Sequence, residues 1–105
     1  MKKILLVCNA GISTSILVSK MKRAAADEGM DVSIEVRSMA GAKEVIGEMD
    51  IVLLAPQIGY EQKNLKAISG GIPVEKIDIT DFGLKNGEKV LRAALKALEK
   101  RRVLK

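Results

Sequence analysis

Two unbroken apolar runs, Ile4-Leu5-Leu6-Val7 and Ile51-Val52-Leu53-Leu54-Ala55, constrain this chain more than any other feature. A strand with one wet face alternates apolar and polar residues, whereas a strand covered on both faces is apolar throughout, as in the centre of a parallel sheet. Residues 3–8 and 51–55 therefore read as central strands, the second stopped by Pro56. Between and beyond them the apolar period lengthens. Residues 14–27 predict a helix with Ile16, Leu17, Met21, Ala24 and Ala25 on one face, ended by Gly29. Residues 31–37 set Val32, Ile34 and Val36 against Ser33 and Glu35, the pattern of a strand exposed on one side. A short helix is expected over 40–48, carrying Gly41 and Gly47, and another over 60–68, stopped by Gly70-Gly71. A short strand over 74–77 follows Pro73, and a long helix over 87–101 closes the chain.

Strand and helix thus alternate four times, which predicts an α/β fold: an open four-stranded parallel sheet with right-handed crossovers and helices on both faces. An apolar fraction of 48% in 105 residues suffices for one core, so residues 1–105 read as one domain. In an open parallel sheet, ligands bind beyond the carboxyl ends of the strands, where the strand order reverses. Cys8, the one cysteine of the chain, stands at that end of the first strand.

The segment that follows is Cys8-Asn9-Ala10-Gly11-Ile12-Ser13-Thr14-Ser15. Ala10 and Gly11 let the backbone approach a ligand closely, while Ser13, Thr14 and Ser15 offer hydroxyl groups and a helix cap. A thiol followed by a small loop and a helix start is ringed by backbone N–H groups, an arrangement that binds an oxyanion. The thiolate is the nucleophilic form, and converging N–H groups at a helix N-terminus favour it. A lone cysteine is ordinarily a small buried residue of its strand; the coincidence of thiol, strand end, small loop and hydroxyl-rich helix start points to chemistry instead. The loops opening at Pro56 and Asp78 issue from the same sheet edge, so Gln57, Tyr60, Asp78, Asp81 and Phe82 are expected to surround Cys8.

Absences narrow the chemistry. Without histidine there is no Cys-His nucleophile pair, and one cysteine permits neither an internal disulfide nor a cysteine-based metal site. Neither a secretory leader nor a membrane span fits the apolar runs, so a cytosolic protein is expected. There is no G-x-x-x-x-G-K-[ST], no G-x-G-x-x-G after the first strand, and no carboxylate pair at its end for a receiver-type phosphoacceptor. The net charge of +5 raises nucleic acid as a partner, but Tyr60 and Phe82 are the only aromatics and supply no stacking platform. From Asp27 to Glu61, moreover, only Arg37 and Lys43 oppose eight carboxylates. The basic excess gathers around Lys20, Lys22 and Arg23, a rim suited to an acidic partner, and in Lys85, Lys89, Arg92, Lys96 and Lys100, spaced as the wet face of a helix.

The low-molecular-weight tyrosine phosphatases resemble this chain in expected fold and in placing a cysteine at the start of a phosphate loop. Their C-x5-R signature uses the arginine to clamp the transferred phosphoryl group. Counting from Cys8, that position is Thr14. A thiolate here can still accept a phosphoryl group, while hydrolysis of the phosphocysteine lacks its main electrostatic support.

A more specific resemblance lies in Lys3 to Lys22, with C-N-A-G-I-S-T-S followed by I-L-V-S-K-M, together with V-L-L-A-P-Q-I-G-Y from Val52 to Tyr60. These residues resemble the lactose/cellobiose-type IIB component of the bacterial phosphoenolpyruvate-dependent sugar phosphotransferase system. The resemblance implies that Cys8 is phosphorylated and that Asn9, Ala10, Gly11, Ile12, Ser13, Thr14 and Ser15 bind the phosphate. It implies a phosphohistidine donor on a IIA component, a disaccharide acceptor held by the membrane component IIC, and no cofactor. Both partners must reach one sulfur, so Gln57 and Tyr60 are expected at their interface. A free-standing domain is more typical of cellobiose or chitobiose systems than of lactose ones, where it is usually fused to IIC. A non-catalytic regulatory module of the same fold is the alternative outside catalysis.

Overall fold

A computed structural model describes residues 2–8 and 11–103, with side-chain detail for 2–8 and 14–99. Four strands, β1 (Lys2–Val7), β2 (Val32–Arg37), β3 (Ile51–Leu54) and β4 (Val74–Lys76), form one parallel sheet in the order β2-β1-β3-β4. The two unbroken apolar runs occupy its centre, with Ile4 to Val7 and Ile51 to Ala55 all buried. β2 lies at an edge, which explains its mixed pattern: Ile34 is buried while Val36 is exposed. The register pairs Val7 with Arg37 on one side and with Leu54 on the other, and Leu54 with Lys76.

Helix α1 (Gly11–Asp27) begins three residues before the expected start. Thr14, expected near the cap, lies inside it and is buried. The buried stripe is Thr14, Leu17, Val18, Met21 and Ala25, at helical spacing, so Ile16 falls about 100° away from Leu17 and faces outward, contrary to expectation. Gly29, at φ +65°, ends the helix as expected. Helix α2 (Met39–Val45) is capped by Ser38, whose Oγ accepts from the Gly41 N–H at 3.3 Å, and a 3-10 turn over Ile46–Glu48 completes the stretch expected as one helix.

The segment expected as a helix from 60 divides in two. A 3-10 turn spans Pro56–Glu61, anchored by buried Ile58, and α3 (Gln62–Ile68) follows, tied to β4 by Gln62 Nε2 donating to the Val74 carbonyl at 2.7 Å. A short helix, α4 (Ile79–Gly83), was not expected. Asp78 creates it: its Oδ1 accepts from the N–H groups of Thr80 and Asp81 at 2.9 and 3.1 Å, and Phe82 plugs into the core. Substituting Asp78 by alanine should lower stability by about 1 kcal/mol, read as a shift of the urea midpoint at constant m-value. An unmoved midpoint would mean that Phe82 alone holds the turn.

Helix α5 (Gly87–Val103) packs along α1. Asn86 caps it, Oδ1 accepting from the Lys89 N–H at 3.2 Å. Lys85, expected on the wet face of this helix, precedes it in a left-handed turn at φ 53°; Lys89, Arg92 and Lys96 are exposed on α5 as expected, and the Lys100 side chain lies outside the described detail. Arg92 bridges Glu28 of α1 (2.8 Å) and Glu88 (3.1 Å), but these surface pairs add little beside the apolar seam. No helix among the described residues is long and apolar enough to cross a membrane.

Candidate functional site

The chain passes from β1 to β2 on one side and returns to β3 on the other, so the strand order reverses between β1 and β3. Cys8 lies at the carboxyl end of β1, at this reversal. Its N–H donates to the Arg37 carbonyl at 3.1 Å, and the Ala55 N–H donates to the carbonyl of Val7 at 3.0 Å. The ends of β2 and β3 thus flank the thiol-bearing residue, which is half-buried and packs against the core. Such a position holds the residue rigidly while leaving part of it accessible.

Helix α1 starts three residues beyond Cys8. The N–H groups of a first helical turn point back along the axis toward its start, where they favour an anion. No acidic residue occupies the first turn of α1, so its own side chains do not offset that field. Of the expected phosphate loop, Asn9 and Ala10 lie outside the described residues, while Gly11, Ile12 and Ser13 contribute helical backbone. Thr14 is 1% exposed and Ser15 is exposed. The position of a phosphatase arginine is therefore held by a threonine sealed inside the fold.

Gln57 and Tyr60 come to the same edge, because the 3-10 turn that carries them leaves β3 directly after Ala55, the neighbour of Val7. Both are exposed, Tyr60 at 75%. The other expected neighbours are not assembled around Cys8. Phe82 is turned into the core, Asp78 is engaged in capping α4, and Asp81 lines a cavity of about 140 Å³ with Leu53, Ile77, Val90 and Ala94. They follow β4, which β3 separates from β1, and the segment after β4 forms a short capped helix that buries Phe82 and leaves Ile79 and Leu84 exposed.

The expected basic rim lies along α1. Lys20, Lys22 and Arg23 are exposed, but Lys20 and Arg23 stand about 13 to 18 Å along α1 from its start. There they line a cleft of about 380 Å³ with Lys85, Asn86 and Glu88. The cations at the sheet edge are instead Arg37 and Lys76. Each is the last residue of its strand, and register places them in one row, Arg37-Val7-Leu54-Lys76, with Cys8 one residue beyond its second member. A strand-final position is visible in the sequence; the row is not, because it depends on pairing between distant segments.

Comparison with known proteins adds an independent line. Residues 3–93 match the family model described as the lactose/cellobiose-specific IIB subunit of the PTS system. The chain is 41% identical to the cellobiose-specific EIIB component of Lactococcus lactis subsp. lactis, over 89% of this chain and 93% of that one. It is 40% identical to the oligo-beta-mannoside-specific EIIB component of Bacillus subtilis, over 90% and 94%. The solution structure of a cellobiose-specific phosphotransferase IIB component from Borrelia burgdorferi superposes with a TM-score of 0.80 at 42% identity, covering 94% of this chain and 93% of the other.

Proposed function

The chain belongs to the lactose/cellobiose-specific IIB family of the PTS sugar system, and we propose that within it Cys8 is the residue that carries the phosphoryl group. One observation supports this most directly: Cys8 stands at the strand-order reversal, with the start of a helix that has no acidic first-turn residue three positions on. In the first step the Cys8 sulfur attacks phosphorus of a phosphohistidine on IIA; the S–P bond forms as the P–N bond breaks, and the departing imidazole nitrogen keeps the electron pair. In the second, a hydroxyl of a disaccharide held by membrane IIC attacks phosphorus and gives up its proton to solvent, while the S–P bond breaks and its electron pair restores the thiolate. Transfer through a loose transition state asks the protein chiefly for positioning and charge stabilisation. Backbone N–H groups of the loop and of the first helical residues, up to Ser13, are the donors for that task, since those of Thr14 and Ser15 belong to the α1 ladder. The α1 dipole adds about 0.3 to 2 kcal/mol per charge, so several direct hydrogen bonds outweigh it.

Carriage rather than hydrolysis is favoured by Thr14. A phosphatase clamps the phosphoryl group with arginine at this position, and a buried threonine brings no charge. The working location is cytoplasmic, where a soluble donor and the inner face of IIC both reach the sulfur. The acceptor is a disaccharide of the cellobiose, chitobiose or lactose kind; relatives named for cellobiose and for oligo-beta-mannoside stand at nearly equal identity, 41% and 40%. Sugar-phosphate formation with cognate IIA and IIC over a disaccharide panel identifies it.

The deciding experiment is mass spectrometry after incubation with phosphoenolpyruvate, the general phosphotransfer proteins and a matching IIA. One acid-stable, iodine-labile phosphate on Cys8 is expected; an unmodified chain would favour a non-catalytic module. Hydrolysis of p-nitrophenyl phosphate should stay at background, and a Cys8-dependent rate would convert the carrier into a phosphatase-like hydrolase.

A further inference from the structure

The two strand-final cations share a second feature besides their row. Each lays its methylene stem across a glycine of the element that covers that face of the sheet. A Cβ on Gly41, in the first turn of α2, would stand 3.4 Å from Arg37 Cδ. On Gly59, in the turn after β3, it would stand 2.8 Å from Lys76 Cδ. Both side chains are exposed. The Arg37 guanidinium is steadied by its Nε donating to Glu35 Oε2 at 2.8 Å, and its terminal nitrogens donate to no described residue. Lys76 makes no ion pair among the described residues. Lys76 is thus unpaired among the described residues, while Arg37, paired through Nε to Glu35, keeps its terminal nitrogens for an outside partner.

Their spacing brackets the thiol. Three strand intervals put the Arg37 and Lys76 Cα atoms about 14 Å apart, with Cys8 just beyond the strand beside Arg37. In-register residues of a parallel sheet point to one face, here the face covered by α2 and the turn before α3. Helices α1 and α2 belong to crossovers running in opposite directions across the sheet, so α1 covers the other face. Cys8 therefore has the start of α1 on one side and two exposed cations on the other. Exposed Tyr60, next to Gly59 in the turn after β3, adds an aromatic surface of the kind that anchors protein contacts.

We propose that Arg37 and Lys76 form a two-point cationic docking surface across the mouth of Cys8 that takes the acidic face of the protein delivering the phosphoryl group. This rests on Cys8 being the phosphoryl acceptor. Charges at the rim of an interface act mainly on the rate of encounter and its salt dependence, and leave the chemical step alone. The two cations therefore guide and orient the donor, and the N–H cradle performs the transfer.

The test uses the full chain with phosphorylated IIA from the same system, following phosphate on Cys8 at two ionic strengths, alongside binding of unphosphorylated IIA by titration. Arg37→Gln/Lys76→Gln should lower the second-order rate about tenfold at low salt, flatten the salt dependence, and leave the rate at saturating IIA unchanged. Gly59→Ala, which keeps every charge but displaces the Lys76 stem, should reproduce part of that loss. Lys89→Gln/Lys96→Gln, the same charge change on the outer face of α5, should have no effect. Equal behaviour of the two double variants would overturn the docking surface, as would a loss that persists at saturating IIA. Absence of phosphate on wild-type Cys8 would instead defeat the acceptor role, and the binding titration would then judge the docking surface on its own: an unchanged affinity of the Arg37→Gln/Lys76→Gln variant overturns it.

Discussion

Cys8→Ser should lose phosphoryl uptake from IIA by at least about a thousandfold, because a serine hydroxyl stays protonated where a thiol supplies a competent nucleophile. The substitution swaps one small atom at a half-buried strand end, and the backbone bonds from Cys8 to Arg37 and from Ala55 to Val7 do not involve the side chain. The melting temperature should accordingly move by no more than about 5 °C. That pairing of results, chemistry lost with the fold kept, separates a nucleophile from a packing residue. Uptake by Cys8→Ser near the wild-type rate, with phosphate mapped to another residue, would remove Cys8 from the mechanism. A large drop in melting temperature with proportionate loss of uptake would instead restore the ordinary role of a cysteine as core filler.

The second large effect concerns stability and comes from a residue with no side chain. Gly87 opens α5 against the middle of α1, and a Cβ there would stand 2.5 Å from the Met21 backbone nitrogen and 2.6 Å from the Lys20 carbonyl carbon. Backbone atoms cannot turn aside as a side-chain tip can, so one of the two helices must shift. Forced overpacking of this kind costs about 1 to 3 kcal/mol. At about 4 to 8 °C per kcal/mol for a domain this size, Gly87→Ala should lower the melting temperature by about 4 to 24 °C. Gly83→Ala is the control: its added Cβ meets nothing within 4 Å, and stability should hold within about 0.5 kcal/mol. Equal melting temperatures for the two variants would show that the α1–α5 seam tolerates the methyl group and that the close approach carries no constraint.

Much of this fold was legible because its signals are local. Ile4 to Val7 and Ile51 to Ala55 had to be central strands, since apolar residues at every position need cover on both faces. Gly29 had to end a helix, and it does so at positive φ. The errors came where a local signal competed with packing. Ile16 looked like a core residue by hydrophobicity, yet the stripe that α1 buries runs through Thr14, Leu17, Val18 and Met21, leaving Ile16 outside. Phe82 looked like a site residue by its place after β4, but an Asp78 cap made a short helix there and turned the ring inward. Lys20 and Arg23 are close to Cys8 in sequence, and the length of α1 carries them away from it.

Residue pattern alone set the alternation of strand and helix, the centrality of the first and third strands, and the placing of a single thiol at a strand end before a loop of small and hydroxyl residues. These follow from side-chain hydrophobicity and backbone preference, which act over a few residues at a time. What flanks that thiol came from the pairing of the strands: Arg37 on one side, Ala55 and the turn bearing Gln57 and Tyr60 on the other, and Lys76 one strand further. Strand order and register join segments tens of residues apart through backbone hydrogen bonds that are blind to side-chain identity. The face and the neighbour of each strand-final residue are therefore set by the assembled sheet.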